Sequence, residues 1–427
     1  LACPDPCKVL LDDSEGQAWE PHVAVDPRDP AHIAVASRTV EAGEKPGSFS
    51  AWFNVYVTTD GGGNWTVTPL RYTKPLGDGS ADDPNVVGDP VLTFLPDGTL
   101  LATGATLQFI GVAAGAVTHV RLYAVRSPDG GFTFEDPVVV AESEGAIGVA
   151  YLPKPLSPVE AAILLRIPDK PWIAAAPDGT AVLAWADILG NHPDQPTGWR
   201  TDLRYSVSRN GGRTWSPSEV AATGASLEGP SIVLTGRAWS IAYVDLTAKQ
   251  THVATSRDEG RTWSDAVAGP NLWMPSLAGT PDGRLYVAGA FPAPGSEAAS
   301  QDDGVQSPSL AWSDDDGATW SAPLLLDEPR IGRVLPSAAV DGAGIVYVTY
   351  AHAEPQDQDS PVSYRAVALR PGAGAPSSAV LDPLIPAPAS SLGDYLGLAA
   401  GSRGAYATWV TSADGQQFDL AGAALAT

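Results

Sequence analysis

The sequence predicts an all-β fold, a single β-propeller of seven four-stranded blades, with six blades as the alternative. Three observations predict it. A turn motif occurs five times, a second repeat of short apolar strands runs in register with it, and 44 Gly and 39 Pro are scattered evenly along 427 residues, punctuating many short strands.

The turn motif reads Ser or Thr, any residue, Asp, any residue, Gly, two more residues, then an aromatic. Its copies begin at Thr58, Ser127, Ser208, Ser256 and Ser313 and end on Trp65, Phe134, Trp215, Trp263 and Trp320. The third copy carries Asn210 in place of Asp, which keeps the acceptor oxygen. The carboxylate or amide oxygen is expected to accept from backbone N–H groups two residues on. The Gly supplies a positive φ, and the aromatic opens the returning strand and buries a large apolar surface. The motif is therefore read as a structural hairpin.

The second repeat is an apolar strand opened by Pro, a tight turn, and a second apolar strand. The opening residues are Pro21, Pro90, Pro171, Pro230, Pro275 and Pro336, and a seventh unit runs from Tyr395. Pro-Asp-Gly or Asp-Gly turns follow in several copies, a hairpin signal. Pro21, Pro90 and Pro171 stand at one constant distance before their boxes, Pro275 one residue further, and Pro230 nearer. Such regularity argues for one four-stranded unit repeated, and units of this length stacked radially make a propeller. Unit six has lost its box near 364–370 and unit seven keeps a degenerate one near 412–418. Residues 1–19 form an N-terminal segment, in which Lys8–Leu11 is expected to supply a closing strand to the last blade. Residues 20–427 form the propeller.

Lys and Arg number 25 against 49 Asp and Glu, a formal charge of −24. That charge repels nucleic acid and anionic membranes and leaves cations, basic proteins and neutral glycans as partners. Cys3 and Cys7 either close a small disulfide loop, which fits an oxidising compartment, or remain thiols on a frayed end. No run reaches the ~18 apolar residues of a membrane span. With a first residue other than Met, the chain is read as exported, secreted or at the cell surface. Zinc-type His/Cys clusters, nucleophile elbows, P-loops and dinucleotide fingerprints are missing from the sequence.

The long connections, 41–51, 71–88, 144–168, 187–199, 292–307, 353–361 and 372–392, all belong to one face of the expected wheel. Long loops concentrate function, so the binding site is placed there, round the mouth of the central channel. The residues just before each inner strand should crowd that mouth: Glu20, Asp89, Asp169 with Lys170, Glu228 with Gly229, Met274, Leu335 and Asp394. Glu20, Asp89, Asp169 and Asp394 are candidate oxygen ligands for Ca²⁺ or Mg²⁺. In the other reading these acids satisfy turn N–H groups or face channel water. Trp19, His192, Trp199, Trp273 and Tyr395 are candidate contact aromatics, and Arg166, Arg200 and Arg333 candidate cations.

The five boxes resemble the Asp-box superfamily, which includes sialidases, xyloglucan hydrolases, sortilin-type receptors and photosystem assembly factors. The resemblance covers roughly residues 20–325 directly and the remainder by strand pattern. It implies the propeller fold; activity has to be argued from the site. Sialidases of the family open the first blade with Arg-Ile-Pro, whose Arg joins a trio that binds the substrate carboxylate. Here that position reads Trp19-Glu20-Pro21, and a Glu there repels a carboxylate. Arg166-Ile167-Pro168 occurs instead before the third blade, so a reassigned trio would be Arg166, Arg200 and Arg333, with Arg330 also near that face. A paired-carboxylate site such as Asp89 with Glu228 is the other glycosidase arrangement. The expected function is a secreted, non-catalytic binding or assembly protein using the loop-rich face for a glycan or protein ligand. The alternative is a sialidase-like glycoside hydrolase.

Overall fold

The computed structural model describes residues 1, 8–12, 16–42, 49–70, 86–109, 116–143, 147–148, 166–190, 199–293, 304–353, 359–370, 376–402 and 404–426. Seven antiparallel sheets follow one another along the chain. Blade one pairs Gln17–Asp26, Asp29–Ala42, Phe49–Thr58 and Thr66–Leu70 in order. Blades three, four and six repeat this meander from Ile167, Leu227 and Ser337. In blade two both Val138–Glu142 and Ile147–Gly148 pair with Ala116–Ser127. In blade five the outer place is divided between Leu324–Leu325 and Arg330–Ile331. A single 3-10 turn at Ala389–Ser391 is the helical content among the described residues.

Blade seven is closed by the chain's own beginning. Strand Val9–Asp12 pairs with Asp419–Leu425, Val9 opposite Gly422 and Leu10 opposite Ala421. Lys8 Nζ reaches Asp382 Oδ2 of blade six at 3.0 Å, where Trp409 Nε1 also donates at 3.1 Å. The closing strand thus lies where the sequence places it. Units one and seven are both full blades, which removes the six-blade alternative. Cys3 and Cys7 lie outside the described residues.

Second strands are buried on both faces because each blade is sandwiched between two others. Val346–Ala353 is buried throughout, and Val182–Ala186 is inaccessible. Aromatics fill the wedge between sheets, as where Tyr364 of blade six meets Trp409 of blade seven at 4.9 Å between centroids.

The five boxes share one geometry. The opening hydroxyl accepts from the N–H four residues on, as in Gly131 N to Ser127 Oγ (2.6 Å) and Gly260 N to Ser256 Oγ (2.8 Å). The Asp or Asn oxygen also reaches four residues on, to Thr133, Thr214, Thr262 and Thr319 N–H, and not two as the sequence reading supposes. The loop is wider than an Asx-turn because the hydroxyl and the carboxylate each close their own ring of chain. Unit seven keeps the device in Ser412 and Asp414, whose Oδ1 accepts from Gln416 and Gln417 N–H.

Each box also presses on the blade before it. The motif Gly stands at positive φ with no room for a side chain. A Cβ on Gly131 would lie 2.6 Å from Val57 of blade one, and a Cβ on Gly212 2.5 Å from Leu101 of blade two. Gly61 also has a positive φ, 77°, but nothing lies within 4 Å of its Cβ position. Gly61→Ala therefore carries only the left-handed backbone penalty, ~1 kcal/mol. Gly131→Ala adds overpacking against Val57 and should cost about 2 kcal/mol or more. Denaturant midpoints of the two variants check the ranking.

Candidate functional site

The inner strands of blades one to four are each interrupted at an X-Pro step. Ladder pairing jumps from Trp19 to His22, from Gly88 to Val91, from Asp169 to Trp172 and from Glu228 to Ser231. The residue before the proline is left-handed: Glu20 at φ 50°, Asp89 at 56°, Lys170 at 51° and Gly229 at 58°. Three of these four carry a Cβ in a region that costs about 1–3 kcal/mol for such residues. A bulge takes two residues out of the ladder and re-aims their side chains. Here it turns charged side chains inward to the axis.

The residue after the proline fastens one inner strand to another. His22 Nδ1 accepts from Leu92 N–H at 3.1 Å, Ser231 Oγ from Leu277 N–H at 3.0 Å and Ser276 Oγ from Ala338 N–H at 2.9 Å. Ser337 Oγ donates to the Leu396 carbonyl. Burial pushes His22 down to about 3, which keeps the ring neutral and able to accept.

Above this ring sits an ionic cluster. Lys170 Nζ lies 2.8 Å from Asp89 Oδ1 and 2.6 Å from Asp394 Oδ2. Arg333 holds the other Asp394 oxygen at 2.9 Å, with its guanidinium carbon 5.8 Å from the centroid of the Trp273 ring. Trp273 Nε1 donates to the Asp394 carbonyl at 3.3 Å, and Tyr395 Oη to that of Pro90 at 3.2 Å. Glu20 Oε2 accepts from Asp89 N–H at 3.1 Å. Blades two, three, six and seven are thereby joined across the axis.

The acids divide into two sets. Burial alone would raise Asp394, but the charges and hydrogen bonds of Lys170 and Arg333 hold it below its usual range. Burial raises Glu20 to about 7, helped by the Asp89 charge. It raises Glu228 to about 8, helped by Asp169. Asp169 is raised by burial to about 6 against the pull of Lys170. Burial opposes the Lys170 charge, yet Asp89, Glu20, Asp394 and Asp169 together hold its pKa well above the ordinary value. Asp394 is thus held ionised by its cations, and burial pushes Glu20, Glu228 and Asp169 towards their protonated forms.

The proposed cation ligands Glu20, Asp89, Asp169 and Asp394 do converge, but the Lys170 ammonium already stands among them, bonded to two of the four. Below the cluster lies an axial cavity of about 100 Å³, lined by His22, Trp172, Ser231, Ser276 and Tyr395 among others. It has room for about three waters at ~30 Å³ each. Away from the axis, Asp327, Glu328 and His352 also cluster. There Arg365 meets Asp327 at 2.9 Å and Arg330 meets Glu328 at 2.5 Å, so guanidinium groups supply the positive charge.

The model of the BNR repeat-like domain matches residues 39–364. The chain belongs to that family. No curated protein sequence matches this BNR propeller. Among solved structures it is similar to a protein of unknown function from Dyadobacter fermentans, at 17% identity over 98% of this chain and 97% of that one, with a TM-score of 0.55. It is similar to an α-L-arabinofuranosidase from Fusarium graminearum, at 14% identity over 99% and 94% of the two chains, TM-score 0.53. It also resembles a Hadza microbial sialidase, at 18% identity over 78% of this chain and 63% of that one, TM-score 0.52. Likeness at these identities establishes the shared fold.

Of the residues singled out from sequence, the BNR propeller gathers Glu20, Asp89, Asp169, Lys170, Glu228, Trp273, Arg333, Asp394 and Tyr395 at the axis. Trp19 turns away and packs on Phe418 of blade seven, 5.9 Å between ring centroids. Arg166 lies on Asp187 (2.7 Å) and Arg200 on Asp202 (2.9 Å), both buried blade-three carboxylates shared with Arg204. With Arg333 held by Asp394, the three arginines serve separate carboxylates and form no single trio. His192 and the Trp199 side chain lie outside the described residues, as do most of the long connections. Sequence reasoning missed Arg38, whose charge acts on Glu20, and Trp172, set between His22 and Tyr395 at 5.1 and 5.5 Å. Trp172 had a signal: it directly follows an X-Pro step.

The raised carboxyls fix the sign of a pH effect. A carboxyl whose folded pKa exceeds its unfolded one adds stability that is lost as pH rises through the folded value. Stability should therefore fall from about pH 4.5, where these carboxyls ionise in the unfolded chain, to about pH 8, and level off once Glu20 and Glu228 have ionised in the folded one. Glu228→Gln should flatten that fall, as thermal melts across the interval will show.

Proposed function

We propose that this BNR propeller is an exported, non-catalytic binding protein that holds a glycan at the axial mouth of its loop-rich face. The observation that carries this reading is the compensation of charge at the axis. A glycosidase needs a protonated acid together with an ionised carboxylate that can attack or activate water. Asp89 and Asp394 are both bonded to Lys170, and Asp394 to Arg333 as well, so each is held in an ion pair that opposes attack on a substrate. Carboxyls biased towards the neutral form, an indole and a guanidinium suit sugar hydroxyls, which both donate and accept. The acidic composition and the two N-terminal cysteines support export.

One observation favours a second reading, a glycoside hydrolase. Glu20, raised to about 7, accepts from the N–H of Asp89, whose carboxylate is bridged by Lys170. Environments that separate the pKa values of neighbouring acids are how acid and base roles are divided. Two of the structural neighbours carry glycosidase names.

Titration calorimetry with arabino-, xylo-, gluco- and sialyl-oligosaccharides separates the two. Saturable binding without product, weakened at least tenfold by Trp273→Ala, is the expected outcome. Release of reducing sugar that Glu20→Gln abolishes would replace the binding reading with the hydrolase, and silence across the panel would remove the glycan.

A further inference from the structure

We infer that the crevice between blades three and four, on the face opposite the loops, is a second binding site for an anionic group of about monosaccharide size. Three independent features converge there.

The first is the filling of the variable box positions. The turn's hydrogen bonds run through the opening hydroxyl, the Asp or Asn and the Thr, so the residues between are unconstrained. Blades one, two and five place Thr59 with Gly63, Pro128 with Phe132, and Asp314 with Ala318 there. Blades three and four place Arg209 with Arg213, and Arg257 with Arg261. In a chain of formal charge −24, box three thus carries two arginines and no acid, and in box four two arginines balance Asp258 and Glu259.

The second is a cavity of about 310 Å³ at that junction, lined by Arg209, Arg237, Trp239, Arg257, Asp178 and Glu259 among others. That volume lies at the lower end of small-ligand sites. It owes its shape to the first turn of blade four. Leu95–Thr99, Ala176–Thr180 and Thr280–Arg284 close over Pro-Asp-Gly, whereas Thr235–Ala238 is one residue shorter. The shorter turn has exchanged the Asp for Arg237. Thr235 Oγ1 fixes it by accepting from Arg237 and Ala238 N–H at 3.2 and 3.0 Å. The Arg237 stem lies over Gly283 of blade five, where a Cβ would come 3.1 Å from its Cδ.

The third is a strained residue. Glu259 is held at φ 58°, at the box position where Gly61, Gly130 and Gly211 stand in blades one to three. From there its carboxylate spans the crevice to Arg209 of blade three at 2.8 Å. It is a tethered oxyanion seated on one of the arginines. Asp178 accepts from Thr180 N–H, and two blade-five carboxylates face the outer arginines, Asp282 towards Arg237 and Asp316 Oδ2 at 3.9 Å from Arg257 Nε. Arg257 donates to the Asp315 and Asp316 carbonyls. The lining carries three arginines against Asp178 and Glu259, and charge more than ~10 Å away is screened at 0.1 M salt.

The test uses the whole chain at constant ionic strength in chloride, with inorganic sulfate, inorganic phosphate, glucose 6-sulfate, glucose 6-phosphate and glucose as probes. Calorimetry should show saturable binding of at least one sugar ester and no binding of glucose. The tighter of the two esters identifies the anion. Arg237→Ala should weaken binding at least tenfold. Glu259→Gly, which installs the residue of the first three boxes, should tighten it several-fold by removing the tethered competitor. Trp273→Ala, at the axis, should leave it unchanged, so this site and the axial one stand or fall separately. Equal binding of glucose, no saturable binding of either ester, or an unaltered response in Arg237→Ala would overturn the proposal.

Discussion

One buried ammonium governs the centre of this molecule. A radial fold brings the start of every inner strand to one axis, so whatever those positions carry is forced together. Here they carry mostly acid, and five carboxyl groups in a desolvated space would repel one another apart. Lys170 resolves the conflict by bonding two of them directly, and Arg333 adds a second cation on Asp394. Burial pushes the other three, Glu20, Asp169 and Glu228, towards their neutral forms. Removing one partner of such a cluster leaves uncompensated buried charge, which is far more damaging than never having built it. The strained φ values of Glu20, Asp89 and Lys170 are tolerated because the surrounding bonds over-determine them.

Much of the fold was legible in the sequence because its signals are local. A hydroxyl, a carboxylate, a Gly and an indole within eight residues make a turn wherever they occur, and recurrence supplied the blade count. The candidate site was legible for the same reason in part. Glu20, Asp89, Lys170 and Glu228 flank the X-Pro steps that open inner strands, and position along a strand is readable. What lies across the axis is not. Nothing in the chain says that Lys170 reaches from blade three to Asp394 of blade seven, because that distance depends on blade number and tilt. The same blindness suggested Arg166 and Arg200 as substrate ligands, when their partners Asp187 and Asp202 face them within blade three.

The two faces differ in how they handle charge. On the loop side, acids converge and the protein supplies its own cations. On the box side, hydrogen-bonded turns hold every motif Asp in place and leave the intervening positions to vary from blade to blade. The boxes are therefore more than staples. They are a fixed frame on which adjacent blades display different side chains at constant geometry.

The borrowing of Val9–Asp12 by the last blade has a consequence for how the wheel is made. Strands inside a blade find partners a few residues away, but the final sheet must wait for segments some four hundred residues apart to meet. Until they do, Asp419–Leu425 shows an unpaired edge, the kind of surface that recruits foreign strands. Loop-closure entropy makes that last step slow, with little reward before it is finished. Assembly is thus pushed from the gradual, blade-by-blade behaviour of an open solenoid towards an all-or-none event, in which the ring either seals or remains vulnerable to aggregation.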